Sequence, residues 1–372
     1  MGIKVGILTF HFAHNYGAQL QAFALCSAIN ELGYDCEIID YRLRYIYRWV
    51  EQYSFISYYQ NQREDGFSKF RSIARAVRYY HKLKQCKSNK WILFDTFMRT
   101  YLPLSKRYYS WQMSSLDYDV FVCGSDQIWN LELTGGYSNV YFLDNDNYKR
   151  RISYAASTGT DGFDFGEIDR IKSALSRFDR ISCREYKLSK TVSKLIGREV
   201  PTVCDPVFLL DKKKWGRLFV DIKITEPYLL IYSFSYNDYD DTLMKTAKYL
   251  SKKYGLKVKR IAGEYDTRLS PEDNLHDVGP REFLTLFHNA DIILTSTFHG
   301  VATSLILNKQ FYVIPPESRR ERIDYVLNQT ELSNRIVEPI ITDEIIDYNR
   351  VNILIEDMRK KSLSYLSNAL KS

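Results

Sequence analysis

Apolar positions along the chain fall into short runs separated by stretches with helical spacing. Residues 4–10 open as a strand and 11–17 form the loop after it. Leu20, Phe23, Ala24, Ala28 and Leu32 then recur at helical intervals before Gly33, and residues 36–41 give a second strand. Strand, helix and strand in that order make a βαβ unit, so a parallel sheet is expected from the first residues. Strands at 118–124, 151–157 and 180–184 continue it, with a helix at 165–178. A second alternating run starts at 228–235 and passes through a helix at 240–254, a strand at 257–261 and a helix at 281–288. Residues 291–314 then read as strand, tight loop, helix and strand. Ile292, Ile293 and Leu294 form a continuous apolar run, as in a strand buried on both faces. Val301, Leu305 and Ile306 mark a helix opened by His299-Gly300, and Phe311, Val313 and Ile314 follow as the next strand. The pattern predicts an α/β protein with two parallel-sheet, Rossmann-like domains. The first spans 1–210, with an insertion at about 42–91; the second spans 228–355; residues 211–227 link them and 356–372 form a terminal helix.

Composition narrows this picture. The chain has 372 residues, enough for two such domains, with 45% hydrophobic and 26% charged residues, as in soluble globular proteins. No run of 18 apolar residues appears, and the first residues read as a strand rather than a signal peptide, so a cytoplasmic location is expected. The six cysteines contain no C-x-x-C pair and read as reduced core residues. The insertion differs in character. Tyr45, Tyr47, Trp49, Tyr53, Tyr58 and Tyr59 stand among Arg42, Arg44 and Arg48, and residues 63–90 carry nine Lys/Arg against two acids. Phe70, Ile73, Ala74 and Val77 fall on one helical face, with Arg71, Arg75, Arg78 and Lys82 largely elsewhere. A basic amphipathic helix of this kind suits an anionic membrane surface as partner; the same composition could bind nucleic acid, although no nucleic-acid partner is expected, and a solvated basic face explains it equally. Much of the net charge of +7 comes from here, so it says little about the catalytic cleft.

The candidate chemistry sits at strand ends. Helix N-termini there aim free N–H groups at a ligand crevice. His299 can reach such a ligand as a proton donor, with Ser296 and Thr297 supplying hydroxyls and Gly300 an open backbone; the alternative is a histidine that caps the helix. His14, Asn15, Tyr16 and Gln19 form or follow the first loop. Gly17 is the loop's lone glycine, so the G-x-G-x-x-G needed for a nicotinamide or flavin is missing. Residues 124–130, GSDQIWN, put Ser125, Asp126, Gln127 and Trp129 at a strand end, where Trp129 either stacks on a sugar or fills the core. Arg184 can hold a phosphate or carboxylate, or pair with Glu185. Arg319, Arg320 and Arg322 cluster after the last strand.

These stretches resemble the polysaccharide pyruvyltransferase family. The similar segments are HNYGAQLQAFAL, GSDQIWN, SYAASTG, ISCREYKLSKTV, VCDP, the Thr297-Phe298-His299-Gly300 turn and Arg322-Ile323, scattered over nearly the whole chain. The resemblance implies a glycosyltransferase-B-like pair of domains facing a cleft, with the terminal helix crossing back to the first. It implies transfer of a pyruvyl group from phosphoenolpyruvate to hydroxyls of a sugar in a capsular or exopolysaccharide precursor, forming a ketal, with no cofactor or metal beyond that co-substrate. His299 would be the general acid and Asp126 a base or acceptor partner. Arg184, Arg322, Arg320, Ser296, Thr297 and Gly300 would bind the donor. His14, Asn15, Tyr16, Gln19, Ser125, Gln127 and Trp129 would bind the acceptor, a sugar or lipid-linked oligosaccharide met at the inner face of the membrane. One departure stands out: many members have Arg two residues before the histidine, where this chain has Thr297. A sugar-nucleotide glycosyltransferase, or a non-catalytic sugar- or phosphate-binding protein, are the alternatives. The acceptor sugar and the oligomeric state are not legible.

Overall fold

A computed structural model describes residues 2–43, 73, 74, 77, 89–159, 162, 163, 165–233, 238–261, 266, 268–317, 320–337 and 341–371. Most of the basic insertion, including Arg71, Arg75 and Arg78, and also Arg319, lies outside these residues.

The chain forms two five-stranded sheets, each entirely parallel. The first comprises β1 (Lys4–Leu8), β2 (Asp35–Tyr41), β3 (Leu104–Tyr108), β4 (Val120–Cys123) and β5 (Arg150–Ser153), in the order β3-β2-β1-β4-β5. The second comprises β6 (Tyr228–Tyr232), β7 (Lys257–Ile261), β8 (Asn274–Leu275), β9 (Ile292–Thr295) and β10 (Gln310–Val313), in the order β10-β9-β6-β7-β8. The windings are the same: each sheet starts in its middle strand, grows to one side, then returns and grows to the other. Each therefore has one switch point, between β1 and β4 in the first and between β6 and β9 in the second, where an open sheet leaves a crevice at its strand ends. The central strands are apolar and buried on both faces, as VFVC in β4 and YLLIY in β6 require.

β3 was not predicted. Its sequence, LSKRY, alternates poorly and none of its residues is fully buried, because it is an edge strand held by β2 alone. The strand expected at 180–184 is reduced to isolated bridges, Ile152 with Arg180 and Ala156 with Cys183. The terminal helix, Tyr348–Lys371, starts earlier than the expected 356 because the Tyr348 hydroxyl anchors it to the Ser304 and Lys309 carbonyls of the second half. It then runs onto the first half. Arg150 Nη1 donates to the Leu370 carbonyl at 2.9 Å, the Tyr365 hydroxyl donates to Ser153 O at 2.9 Å, and Cys204 N donates to Ser362 Oγ at 3.0 Å.

The halves share one apolar core that includes residues of both sheets. Tyr16, at the start of the Tyr16–Glu31 helix, stacks on Phe283 with centroids 4.5 Å apart and donates its hydroxyl to Val278 O at 2.9 Å. Replacing Tyr16 with Phe keeps the stacking and removes the hydrogen bond. It is expected to lower stability by about 0.5–1.5 kcal/mol, read as a shift in the denaturant midpoint.

Candidate active site

The turn after β9 is built by its own hydroxyls. Thr295 Oγ1 donates to Tyr232 O at 2.7 Å, tying the turn to the neighbouring strand. Thr297 is the N-cap of the Phe298–Ile306 helix, its Oγ1 accepting the Gly300 N–H at 2.9 Å. Gly300 has no alternative, since a Cβ there would lie 2.1 Å from Thr295 Oγ1. Ser296 and Thr297 are buried. The capping role therefore belongs to Thr297, and His299 is left to point elsewhere.

His299 lies across the junction of the two halves. Its ring covers Gly17 of the first half so closely that a Cβ at Gly17 would be 2.1 Å from His299 Nδ1. Both switch points thus converge: the first turn of the helix after β1 forms the seat of the histidine that follows β9. The other nitrogen, Nε2, is buried without a hydrogen-bond partner, 3.7 Å from Asp205 Oδ2. Burial pushes the imidazole below the usual histidine range. Asp205 and Asp126 favour its charged form, and Arg184 and Arg322 oppose it.

Arg184 and Glu185 follow the bridged segment beside β5. The guanidinium is buried and already engaged: Nη1 donates to Asp205 Oδ2 at 2.9 Å, Nε to Glu185 Oε1 at 3.1 Å and Nη2 to Ser157 Oγ at 3.1 Å. Asp126 Oδ1 is 3.8 Å from Nη1. Burial disfavours this cation, but Glu185, Asp205 and Asp126 outweigh it and hold the pKa above the ordinary arginine value. The ion pair with Glu185 is thus present, within a larger acidic cluster. Arg184 also lies over the Phe298 ring at 5.3 Å.

A cavity of about 810 Å³ opens beside this cluster and takes its walls from both halves. Arg184, Asp205 and Phe298 line its inner end, and Arg320, Arg322 and Tyr325 stand in its wall from the Arg320–Gln329 helix. The lining is mixed in charge, with Lys187 beside the arginines and Glu185, Glu317, Glu321 and Asp324 among them. Arg320 Nε stands 3.5 Å from Asp324 Oδ2, a half-exposed pair and a weak one.

The residues expected to bind the acceptor are dispersed. Trp129 is fully buried, donates Nε1–H to Tyr141 O at 3.1 Å and stacks on Phe142, so it belongs to the core and presents no face to a sugar. Ser125 is also fully buried, its Oγ donating to Ala155 O at 2.8 Å, so its hydroxyl joins two loops and is not offered to a ligand. His14 packs against Trp91 and Phe94 with Nε2 3.3 Å from Asp95 Oδ1, and Asn15 caps its helix. Lys90 stands over the Tyr16 ring at 5.2 Å, where burial brings its ammonium down to about 8. Gln127 Oε1 accepts from Asn130 Nδ2 at 3.0 Å beside Gly159. Gln19 is the exception: it is fully buried with neither amide atom hydrogen-bonded. The correction on Trp129 is testable. Trp129→Ala is expected to cost about 3–5 kcal/mol of stability, as a core truncation does, measured by denaturant unfolding.

Sequence reasoning missed Asp205 and the purpose of Gly17. The Asp-Pro pair was visible, and it does cap the Pro206–Leu209 turn, with Oδ1 accepting from Val207 N. Its second oxygen, turned to Arg184 and His299, left no sequence signal.

Two like-wound parallel sheets, joined where helix starts from both meet a histidine and guanidinium groups beside a shared cavity, define a two-domain protein of the double Rossmann type. Solved structures similar to the chain include a protein from Listeria monocytogenes described as a UDP-N-acetylglucosamine 2-epimerase, with 8% identity and TM-score 0.49, covering 99% of this chain and 91% of the other. UDP-N-acetylglucosamine 2-epimerase from Rickettsia bellii matches at 11% identity and TM-score 0.43, covering 98% and 97%. UGT89C1 from Arabidopsis thaliana, complexed with UDP-L-rhamnose, matches at 11% identity and TM-score 0.42, covering 99% and 93%. At these scores the likenesses carry no argument about activity. No curated protein matches the chain. The chain belongs to the polysaccharide pyruvyl transferase family, whose model matches residues 15–318.

Proposed function

We propose that this pyruvyl transferase takes its group from phosphoenolpyruvate and forms a ketal on two hydroxyls of one sugar in a capsular or exopolysaccharide precursor, with no cofactor beyond that co-substrate. The reaction requires a proton delivered to the enol carbon, two sugar hydroxyls added to the adjacent carbon, and departure of phosphate. His299 is the acid, Asp126 the base or hydroxyl partner, and Arg322 and Arg320 hold the donor's anions. Arg184 adds positive charge from the inner wall with N–H groups to spare. Gln19 is the strongest remaining acceptor contact. The observation that carries this reading is the unpartnered, buried Nε2 of His299, 3.7 Å from Asp205 Oδ2, with Asp205 and the neighbouring Phe298 lining a cavity shared by both halves. Enclosure there excludes the water that would hydrolyse the activated donor.

The deciding experiment is ligand protection. Phosphoenolpyruvate is expected to raise the melting temperature by a few degrees at saturating concentration, and a sugar nucleotide to leave it unchanged. Protection by the sugar nucleotide alone overturns the donor assignment. Arg322→Gln should weaken donor binding by about 10- to 100-fold, the worth of a charge-assisted hydrogen bond, with a smaller effect on kcat.

A lipid-linked acceptor at the inner face of the membrane belongs to the same proposal. Its motive is the basic composition of residues 63–90. The protein is expected to bind anionic vesicles at low salt and release them at high salt, and Arg71, Arg75 and Arg78 changed together to Glu should abolish binding. Unchanged binding of that variant sinks the idea.

A further inference from the structure

Asp205 has two oxygens with different tasks. Oδ1 caps the Pro206–Leu209 turn by accepting from Val207 N at 3.1 Å. Oδ2 accepts from Arg184 Nη1 at 2.9 Å and also stands 3.7 Å from His299 Nε2. The Asp205 side chain has no solvent exposure, and Nε2 is buried with no hydrogen-bond partner. A buried polar nitrogen left alone is destabilising, which singles Nε2 out as a group whose role has to be accounted for.

The charged groups that face the ring are Asp205 and Asp126 on one side of the balance, Arg184 and Arg322 on the other. Asp205 is the carboxylate whose oxygen comes within 4 Å of Nε2, at 3.7 Å. That separation is too long for a hydrogen bond and short enough for a strong field in a buried site. A short bond would tie the proton down. The field favours its presence on Nε2 and leaves it free to move to carbon.

We propose that Asp205 is a positioning residue for His299, setting the imidazole proton on Nε2 and keeping the buried ring chargeable while sharing the same oxygen with Arg184. The inference rests on the reading of His299 as the acid. Donor anions drawn to Arg322 cancel one opposing cation, so Asp205 acts with most effect once the donor is bound.

Histidine-selective isotope labelling and NMR titration of the full-length protein test this without turnover, with the His299 signal assigned by its loss in His299→Asn. The neutral ring of the wild-type protein is expected to carry its proton on Nε2. Asp205→Asn should lower the His299 pKa by about one unit or more, the usual effect of an opposite charge at this range. Asp205→Glu, which keeps the charge, should restore most of that shift. In turnover, the high-pH limb should move down with the pKa in Asp205→Asn and return toward the wild-type position in Asp205→Glu. A proton on Nδ1, or an unchanged pKa in a folded Asp205→Asn, reduces Asp205 to a partner of Arg184. The tautomer is read on the wild-type protein, so it decides even if Asp205→Asn does not fold. The acid assignment stands or falls separately, on the turnover of His299→Asn.

Discussion

His299→Asn is expected to keep the donor bound and to lose turnover by a factor on the order of 10² or more, the usual scale of general acid catalysis. Asn offers a hydrogen bond of similar reach but no proton for carbon. Nε2 of the ring it replaces has no hydrogen-bond partner, so the substitution removes no hydrogen bond there and gives up the packing against Gly17 and Phe298. The pH dependence follows from the same surroundings. Burial lowers the pKa of the imidazole, and the anions of a bound donor would oppose that shift and favour the charged ring. If the protonated ring acts, turnover is expected to fall as pH rises through its pKa in the complex. Donor affinity and kcat measured on this variant across pH check both statements. Near-normal turnover removes His299 as the acid, and lost donor binding in a folded protein makes it a binding residue.

Gly17→Ala is expected to reduce turnover almost as far, by about 10²-fold, although Gly17 lies in the opposite half and bears no side chain. The added Cβ falls 2.1 Å from Nδ1, 2.3 Å from Cε1 and 2.4 Å from Cγ of His299, so the imidazole must leave its place. A displacement of about 1 Å in a catalytic group costs rate on this scale. Alanine favours the helix in which Gly17 sits, which offsets part of the cost of displacing the ring, so the protein should still fold with a lowered melting temperature. The sharper measurement combines the two variants. If Gly17 acts through His299, Gly17→Ala adds almost no further loss to His299→Asn; fully additive losses show that Gly17 serves something else.

How far the sequence spoke depends on the range of the interaction. The central strands were legible because burial on both faces leaves continuous apolar runs, as in Ile292-Ile293-Leu294. β3 was not, because its strand conformation comes from pairing with β2 and not from its own residues. The strand-to-helix turn at His299 could be read from its glycine and hydroxyls, but which residue capped the helix could not. Trp129 shows the limit for large aromatics: a sequence gives the size of the ring and not which way it faces. Arg184 was read as a phosphate ligand or an ion pair with Glu185, and its further partner Asp205 follows later in the chain with no local pattern to announce it. Gly17 is the extreme case, required by a ring that arrives from the other sheet.

That arrangement amounts to a safeguard. The second half carries the histidine, and the first half carries the surface that aims it. If His299 is the acid, any separation of the halves would take the imidazole off its seat and leave its proton without a fixed direction. Aim would then exist only while the halves are together, an interlock that arms the reagent only inside the assembled compartment.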